Sequence, residues 1–357
     1  MFCSFAKTCV CTPVANERTS KPGAVNVSQP IQPKPLAAPD LSASLLADLI
    51  PDLSIVIVSW NTRALLAQCL HSIDEERAAY PNLSMEVFVV DNVSHDGSSA
   101  MVRQRFPWVQ LIENRSNVGF AAGNNQAIEM SRGRYILLLN PDTQVIAGAL
   151  QALVHFMDTN PQAGAAGSRL LNPDGSLQIS CYPRPTLTRE IWRLFHLDKL
   201  YPYAIYKMQQ WWITQPRNVD IVQGASLIVR REVIEEVGGL DADYFIYSEE
   251  VDLCARIQNA NWRIYWVPQS AVIHYGGQST QQVATEMFLK LYEGKIIYFR
   301  KNRGQVAAEL YKLILLMAST ARLAISLFTW LGRSAGRKRH LQLASNYRRL
   351  VFALPRM

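Results

Sequence analysis

Three short polar stretches each follow an apolar run: Ser59-Trp60-Asn61, Asp91-Asn92 and Asn140-Pro141-Asp142. In the third, YILLLNPDTQV from Tyr135 to Val145, five apolar residues stop at Asn140. A carboxylate with Asn and Thr beside it suits a hard divalent cation, Mg²⁺ or Mn²⁺, carrying a phosphate. Read alone, the same residues also describe a strand closed by an Asx turn. A second set lies far downstream. Glu249, Glu250 and Asp252 form an acidic cluster at a helix start, and His274 sits in the Gly-flanked stretch AVIHYGGQST. The helix dipole favours acids in a first turn, so plain capping explains the cluster as well as chemistry does. A lone His is more often structural than a ligand, although imidazole can bind metal.

The elements that must position these groups are legible. LSIVIVS and MEVFVVDN read as strands, and YILLL, apolar without alternation, as a strand buried on both faces. Leu65, Leu66, Cys69, Leu70 and Ile73 follow helical spacing after Thr62, a candidate N-cap. VQLIEN is a further strand, and NRSNVGFAAGNNQAIEMS runs from loop to helix. Alternating strand and helix predict an α/β domain on a parallel sheet with right-handed crossovers. Parallel strands end on one edge, so the three polar stretches converge on one crevice. No GxGxxG follows the first strand, which disfavours a dinucleotide enzyme. Downstream, ALQALVHFMDTNP reads as a helix, Asn172-Pro173-Asp174-Gly175 as a hairpin turn, RIYWVP as a strand and AVIHYGGQST as a loop. The Trp- and Tyr-rich residues 187–216 fit either a loop over the site or ordinary helix packing.

Composition bounds the rest. The chain has 357 residues, 49% hydrophobic and 18% charged, enough for a sizeable core. Its net charge of +7 is split: residues 295–357 hold thirteen Lys and Arg against one acid, Glu309, a local +12 that leaves −5 for the remainder. That balance argues against a nucleic-acid partner and for a tail that meets an anionic surface. Six scattered cysteines without a CxxC pair describe reduced thiols in a cytoplasmic protein. The N-terminus shows no signal-peptide pattern, and residues 1–51 read as a disordered Pro-rich leader with a short helix in LSASLLADLI.

The stretches SIVIVSWN, FVVDNVSHDGS, NRSNVGFAAGNNQAI, ILLLNPDT, QGASLIVRREVIEEVGGLDADYFIYSEEVDLCARIQNANWRIYWVP and AVIHYGGQST occur in one order across residues 53–280. In that order they resemble family 2 inverting glycosyltransferases of the GT-A fold, in the rhamnosyltransferase-like branch. The resemblance implies a nucleotide-sugar half at 52–147 and an acceptor half at 148–280. It implies that Ser59, Trp60, Asn61 and Asp91 hold the donor's nucleoside, and that Asn117, Gly119 and Asn125 line the nucleotide. Asn140-Pro141-Asp142 occupies the family's DxD position, leaving Asp142 as the anionic metal ligand with His274 as a further contact. Gln223 and Gly224 fall beside the donor sugar. Glu250 stands at the base position of the ED motif, with Glu249 and Asp252 beside it in the catalytic cluster. The implied reaction moves a sugar, rhamnose from dTDP-rhamnose by branch, to a glycan or polyprenyl-linked acceptor in cell-envelope polysaccharide synthesis. The departures at Asn140 and Glu250 keep open a catalytically silent nucleotide-sugar-binding scaffold.

Residues 281–357 lie outside the resemblance and read as basic amphipathic helices. KLILLMASTARLAISLFTWLGR is apolar but carries Arg322 at its middle, and a central Arg costs a spanning helix a few kcal/mol. The expectation is peripheral contact through 305–357 with the cytoplasmic face of the inner membrane. The competing expectation is a helical hairpin packed on the catalytic domain or on a second copy in a homodimer.

Overall fold

β1 (Leu53–Ser59) is buried at every position, as its β-branched run demands. The computed structural model describes residues 50–278, 282–331 and 337–357, so the expected leader and its short helix lie outside the described residues up to residue 49. β1 pairs in parallel with β2 (Met85–Asp91) on one side and β4 (Tyr135–Leu139) on the other. β3 (Gln110–Glu113) extends the parallel set beyond β2. The crossovers are α1 (Arg63–Ala79), α2 (Ser98–Arg105) and α3 (Phe120–Met130). With β2 and β4 on opposite sides of β1, the winding direction reverses there, and a crevice opens at the strands' carboxyl ends.

The second half does not continue the parallel sheet. β10 (Ser226–Arg230) runs antiparallel to β4, β6 (Ala163–Leu171) antiparallel to β10, and β11 (Arg263–His274) parallel to β6. β5 (Thr143–Val145) closes the order β3-β2-β1-β4-β10-β6-β11-β5. β8 (Arg217–Asn218) adds to β11, while β7 (Cys181–Tyr182) and β9 (Ile221–Val222) form a separate pair. α1 and α4 (Ala149–Thr159) contribute Leu66, Leu70, Leu150 and Leu153 to the core on one face of the sheet. α3, α6 (Arg231–Val237) and α7 (Glu249–Asn259) contribute Ala127, Val233 and Leu253 to the core on the other. Helices on both faces of a mixed sheet thus hold the strand ends rigid.

β11 is longer than RIYWVP. The chain passes Pro268 as a bulge, with register shifts between Val267 and Ala271, and resumes as strand to His274. Proline has no N–H for the ladder, and a bulge tolerates the loss. His274 therefore ends a strand rather than sitting in a loop.

α5 (Leu187–Leu194), α8 (Ala284–Arg303), α9 (Gln305–Leu331) and α10 (Arg337–Ala353) form a third apolar cluster. Its polar pin is the buried Glu190, 2.6 Å from Lys295 Nζ, 3.1 Å from Arg193 and 3.3 Å from the Tyr311 hydroxyl. Burial alone would raise this carboxyl, but the charges of Lys295 and Arg193 outweigh it and hold the group below its ordinary value. Arg322 is satisfied in the same way: it donates to the Leu194 carbonyl at 2.6 Å and to the Tyr347 hydroxyl at 2.5 Å, and its guanidinium lies over the Tyr347 ring. The C-terminal helices thus pack on the catalytic domain. α5 joins that packing, Tyr206, Met208 and Trp211 pack in the second core cluster, and none of residues 187–216 lines the crevice at the strands' carboxyl ends. Among the described residues, no helix is long and apolar enough to cross a membrane.

Candidate functional site

The carboxyl ends of β1, β4 and β11 and the N-terminus of α7 surround a cavity of about 460 Å³. Ser59, Trp60, Asn117, Gly119, Asn140, Asp142, Gln223, Gly224, Glu249, Glu250 and His274 all line it. The volume suits a nucleotide-sized ligand.

A short piece of antiparallel pairing builds one wall. Pro141 ends β4, and the chain re-enters the sheet as β5, whose Thr143 stands opposite His274 of β11. The Tyr275 amide then donates to the Asp142 carbonyl at 2.9 Å. These contacts set Asp142 Oδ1 3.4 Å from His274 Nε2. The Asn140 side-chain amide is 3.4 Å from the same nitrogen. Gln178 decides the imidazole tautomer. Its Nε2 donates to Asn172 Oδ1 at 2.9 Å and to the His274 carbonyl at 3.2 Å, which turns Oε1 toward Nδ1 at 2.7 Å. An amide oxygen only accepts, so Nδ1 carries a hydrogen, and in the neutral imidazole Nε2 is the nitrogen left with a lone pair on the Asp142 side.

A lone pair facing a carboxylate oxygen is an arrangement that a cation relieves. Adjacent ligands of an octahedral Mg²⁺, each at about 2.1 Å, stand about 3.0 Å apart, so this pair fits one coordination sphere with little movement. Among the described residues no group of three or more His, Cys, Asp or Glu could hold a metal by itself. Two protein ligands leave the other positions for phosphate and water, as magnesium sites on nucleotides usually do.

α7 supplies the opposing chemistry. Glu249 and Glu250 stand in its first turn, each with a buried Oε2 that has no hydrogen-bond partner. Burial, and then the charge of Glu250, push the Glu249 carboxyl well above its ordinary range. Burial also raises Glu250, against the pull of nearby backbone amides. A Cβ built on Gly224 would lie 3.5 Å from Glu250 Cβ, so Glu250 rests directly against this glycine. Both residues line the cavity, and a carboxyl raised by burial beside it is suited to accept a proton from an incoming hydroxyl.

The nucleotide side is built by close backbone approach. Gly119 has φ +87°, and a Cβ there would fall 2.5 Å from the Phe245 carbonyl oxygen. Asn117 Oδ1 accepts the Gly119 amide at 3.0 Å, and Asn92 Nδ2 donates to the Gly119 carbonyl at 3.0 Å. Asp91 is buried behind this loop. Its Oδ2 accepts the Ser94 amide at 2.9 Å, while Oδ1 has no partner.

Four expected site residues stand elsewhere. Asp252 lies 200° round the helix from Glu250 at 100° per residue, and its carboxylate is engaged by Arg256 at 2.7 Å and Asn302 at 2.8 Å. It ties α7 to α8 and leaves the catalytic set. Asn125 bonds both the amide and the carbonyl of Leu240, at 2.9 and 2.6 Å, so it clamps a turn and lines no ligand space. Asn61, at φ +52°, accepts the His95 amide at 2.8 Å and supports the cavity from outside it. Asp91 reaches the cavity only through the neighbouring Asn92, which does line it.

Several lining residues were not singled out from the sequence: Phe245, Ile246, Tyr247, Gln278, and Val283, Glu286 and Met287 at the start of α8. Gln278 donates its amide to Asp142 Oδ2 at 3.3 Å. The cut at residue 280 therefore passes through the site, and the described residues on both sides of it belong to one compact unit. Asn92 was visible beside Asp91; Gln178 and α8 carried no local signal.

A family model for glycosyl transferase family 2 matches residues 54–238. An N-acetylglucosaminyl-diphospho-decaprenol L-rhamnosyltransferase of Mycobacterium tuberculosis is 32% identical over 209 residues, 55% of this chain and 68% of that protein. The rhamnosyltransferase WbbL of Escherichia coli is 25% identical over 193 residues, 52% of this chain and 71% of that protein. The solved mannosyltransferase PcManGT of Pyrobaculum calidifontis, in complex with GDP-Man and Mn²⁺, superposes with a TM-score of 0.51 at 19% identity, covering 86% of this chain and 84% of that one. The chain belongs to glycosyl transferase family 2. It is a glycosyltransferase with the GT-A arrangement of a nucleotide-binding sheet joined to a second, mixed half.

Proposed function

We propose that the protein transfers rhamnose from dTDP-rhamnose to a glycan or polyprenyl-linked acceptor for the cell envelope, with inversion at the anomeric carbon. The sugar and the lipid-linked acceptor rest on the names of the rhamnosyltransferase relatives. The chemistry rests on one observation: a single cavity holds both the Asp142–His274 pair and the partnerless carboxylates of Glu249 and Glu250.

Direct displacement needs a base for the attacking hydroxyl and a counter-charge for the leaving diphosphate. Glu250, which lines the cavity, accepts the hydroxyl proton, and its raised pKa makes it a stronger base than an exposed carboxylate. Asp142 and His274 would hold Mg²⁺ or Mn²⁺, which when bound stabilises charge on the leaving diphosphate. Gln178 holds the Nδ1 hydrogen, which makes Nε2 the lone-pair nitrogen of the neutral imidazole for that role. Trp60 and the Asn117–Gly119 loop orient the nucleoside. A lipid-linked acceptor would meet a nucleotide-sugar donor at the cytoplasmic face of the inner membrane.

The test is mass spectrometry of reactions offering dTDP-, UDP- and GDP-sugars with a polyprenyl-diphosphate-linked GlcNAc and Mn²⁺. Transfer of a deoxyhexose from dTDP-rhamnose is expected. Transfer from another donor alone overturns the sugar assignment, and binding of every donor without transfer overturns the proposal.

A further inference from the structure

α9 is apolar on two sides. Its inner side, with Ala308, Tyr311, Ile314, Leu315 and Ala318, is buried in the third core cluster. Its outer side carries Val306, Leu310, Leu313 and Met317, exposed by 75, 46, 51 and 50%. The four follow a 4-3-4 spacing, which lays them along one line of a helix. At 1.5 Å per residue the stripe from Val306 to Met317 runs about 17 Å. A continuous apolar stripe of that size marks an interaction surface, not the scattered exposure normal for a monomer.

Arg322, the charge that interrupts the helix in sequence, does not break the stripe, because it turns inward to the Leu194 carbonyl and the Tyr347 ring. The only acid of residues 295–357, Glu309, is engaged by Lys312 at 3.1 Å. Exposed Arg303 stands just before the stripe, and Arg333, Arg337, Lys338 and Arg339 follow it in sequence. An apolar line with basic residues beyond both ends is the pattern of a helix lying in the plane of an anionic lipid surface. A second copy would bring one +12 segment against another, which like-charge repulsion opposes.

We propose that the outer face of α9 is the surface by which this protein seats on anionic lipid, with the helix in the membrane plane. This extends the proposed membrane-side reaction and names the surface that serves it. Seating would bring the polyprenyl tail of the acceptor within reach of a cavity partly lined by α8, the helix immediately before α9.

The test is vesicle flotation of the full chain with phosphatidylcholine alone and with added phosphatidylglycerol, comparing wild type with the triple variant Leu310→Ser, Leu313→Ser, Met317→Ser. Wild type should float with the anionic vesicles in a salt-sensitive way, and the variant should bind at least about tenfold more weakly. The three residues are exposed and outside the cavity, so thermal unfolding and dTDP binding should be unchanged. Anionic vesicles ignored by wild type, or bound equally by the variant, overturn the proposal. So does a wild-type dimer in light scattering that the variant dissolves, since the stripe would then seal two copies. Transfer to a short-chain, water-soluble acceptor is read separately. If that transfer persists while flotation fails, only the surface assignment falls; if it is absent while flotation succeeds, only the catalytic proposal falls.

Discussion

Replacing Gln178 by Leu removes one acceptor from a residue that touches neither sugar nor phosphate. In the native arrangement Oε1 accepts from His274 Nδ1 at 2.7 Å, and this bond leaves the Nε2 lone pair facing Asp142 Oδ1 at 3.4 Å. Leu is close to Gln in size but accepts nothing, so the imidazole is free to take the other tautomer or to rotate. Loss of such an outer partner typically costs about 10–100-fold in metal affinity, which is about 1.4–2.8 kcal/mol. The assay is calorimetric titration of Mn²⁺ into dTDP-loaded protein, with ¹⁵N resonances of the His274 imidazole reporting the tautomer. Gln178→Glu keeps an acceptor for Nδ1–H and should recover part of the affinity, although it lacks the donors to Asn172 and the His274 carbonyl. If the Leu variant binds Mn²⁺ as tightly as wild type with the tautomer unchanged, the reasoning about His274 is wrong.

Other consequences follow from the same geometry. Glu249 has a pKa raised by burial and by Glu250, so the native state holds its proton more tightly than the unfolded chain. The stability this gives is complete below the unfolded value of about 4.3 and is lost as pH rises through the raised native value. Glu249→Gln should therefore raise the melting temperature above neutral pH, by about 1 kcal/mol of stability, with the gain vanishing in acid; thermal scans across pH show whether it does. Gly119→Ala forces a side chain into φ +87° and to 2.5 Å from the Phe245 carbonyl. It should cost about 1–3 kcal/mol of stability and weaken dTDP binding, read by melting and titration; a neutral Ala variant would contradict the tight loop.

The strands of the first half were legible because buried parallel strands announce themselves as unbroken apolar runs, and YILLL ends where the cavity begins. The convergence of polar strand ends was legible for the same reason. What brings Asp142 to His274 was not: it is a pairing of β5 with β11 across more than a hundred residues, and no local periodicity encodes that register. Pro268 punctuates the sequence like a strand end, yet the strand absorbs it as a bulge. The acidic cluster was legible as a cluster but not as a geometry, since helix rotation sends Glu250 to the cavity and Asp252 to Arg256. Arg322 looked like a charge in need of water; its partner at Leu194 is 128 residues away.

The most direct measurement is single-turnover transfer by Glu250→Gln beside wild type, over a pH series, with donor binding measured in parallel. Gln keeps the shape of the side chain against Gly224 but cannot accept the acceptor's proton. Wild-type transfer should rise with pH along a limb above the ordinary carboxylate range, because Glu250 must be ionised to act and its pKa is raised. The Gln variant should bind dTDP-rhamnose as wild type does, transfer about 10²–10⁴-fold more slowly, and lose that limb. A Gln variant that transfers at the wild-type rate, with the limb intact, would show that the base is another group and that the cavity has been read wrongly.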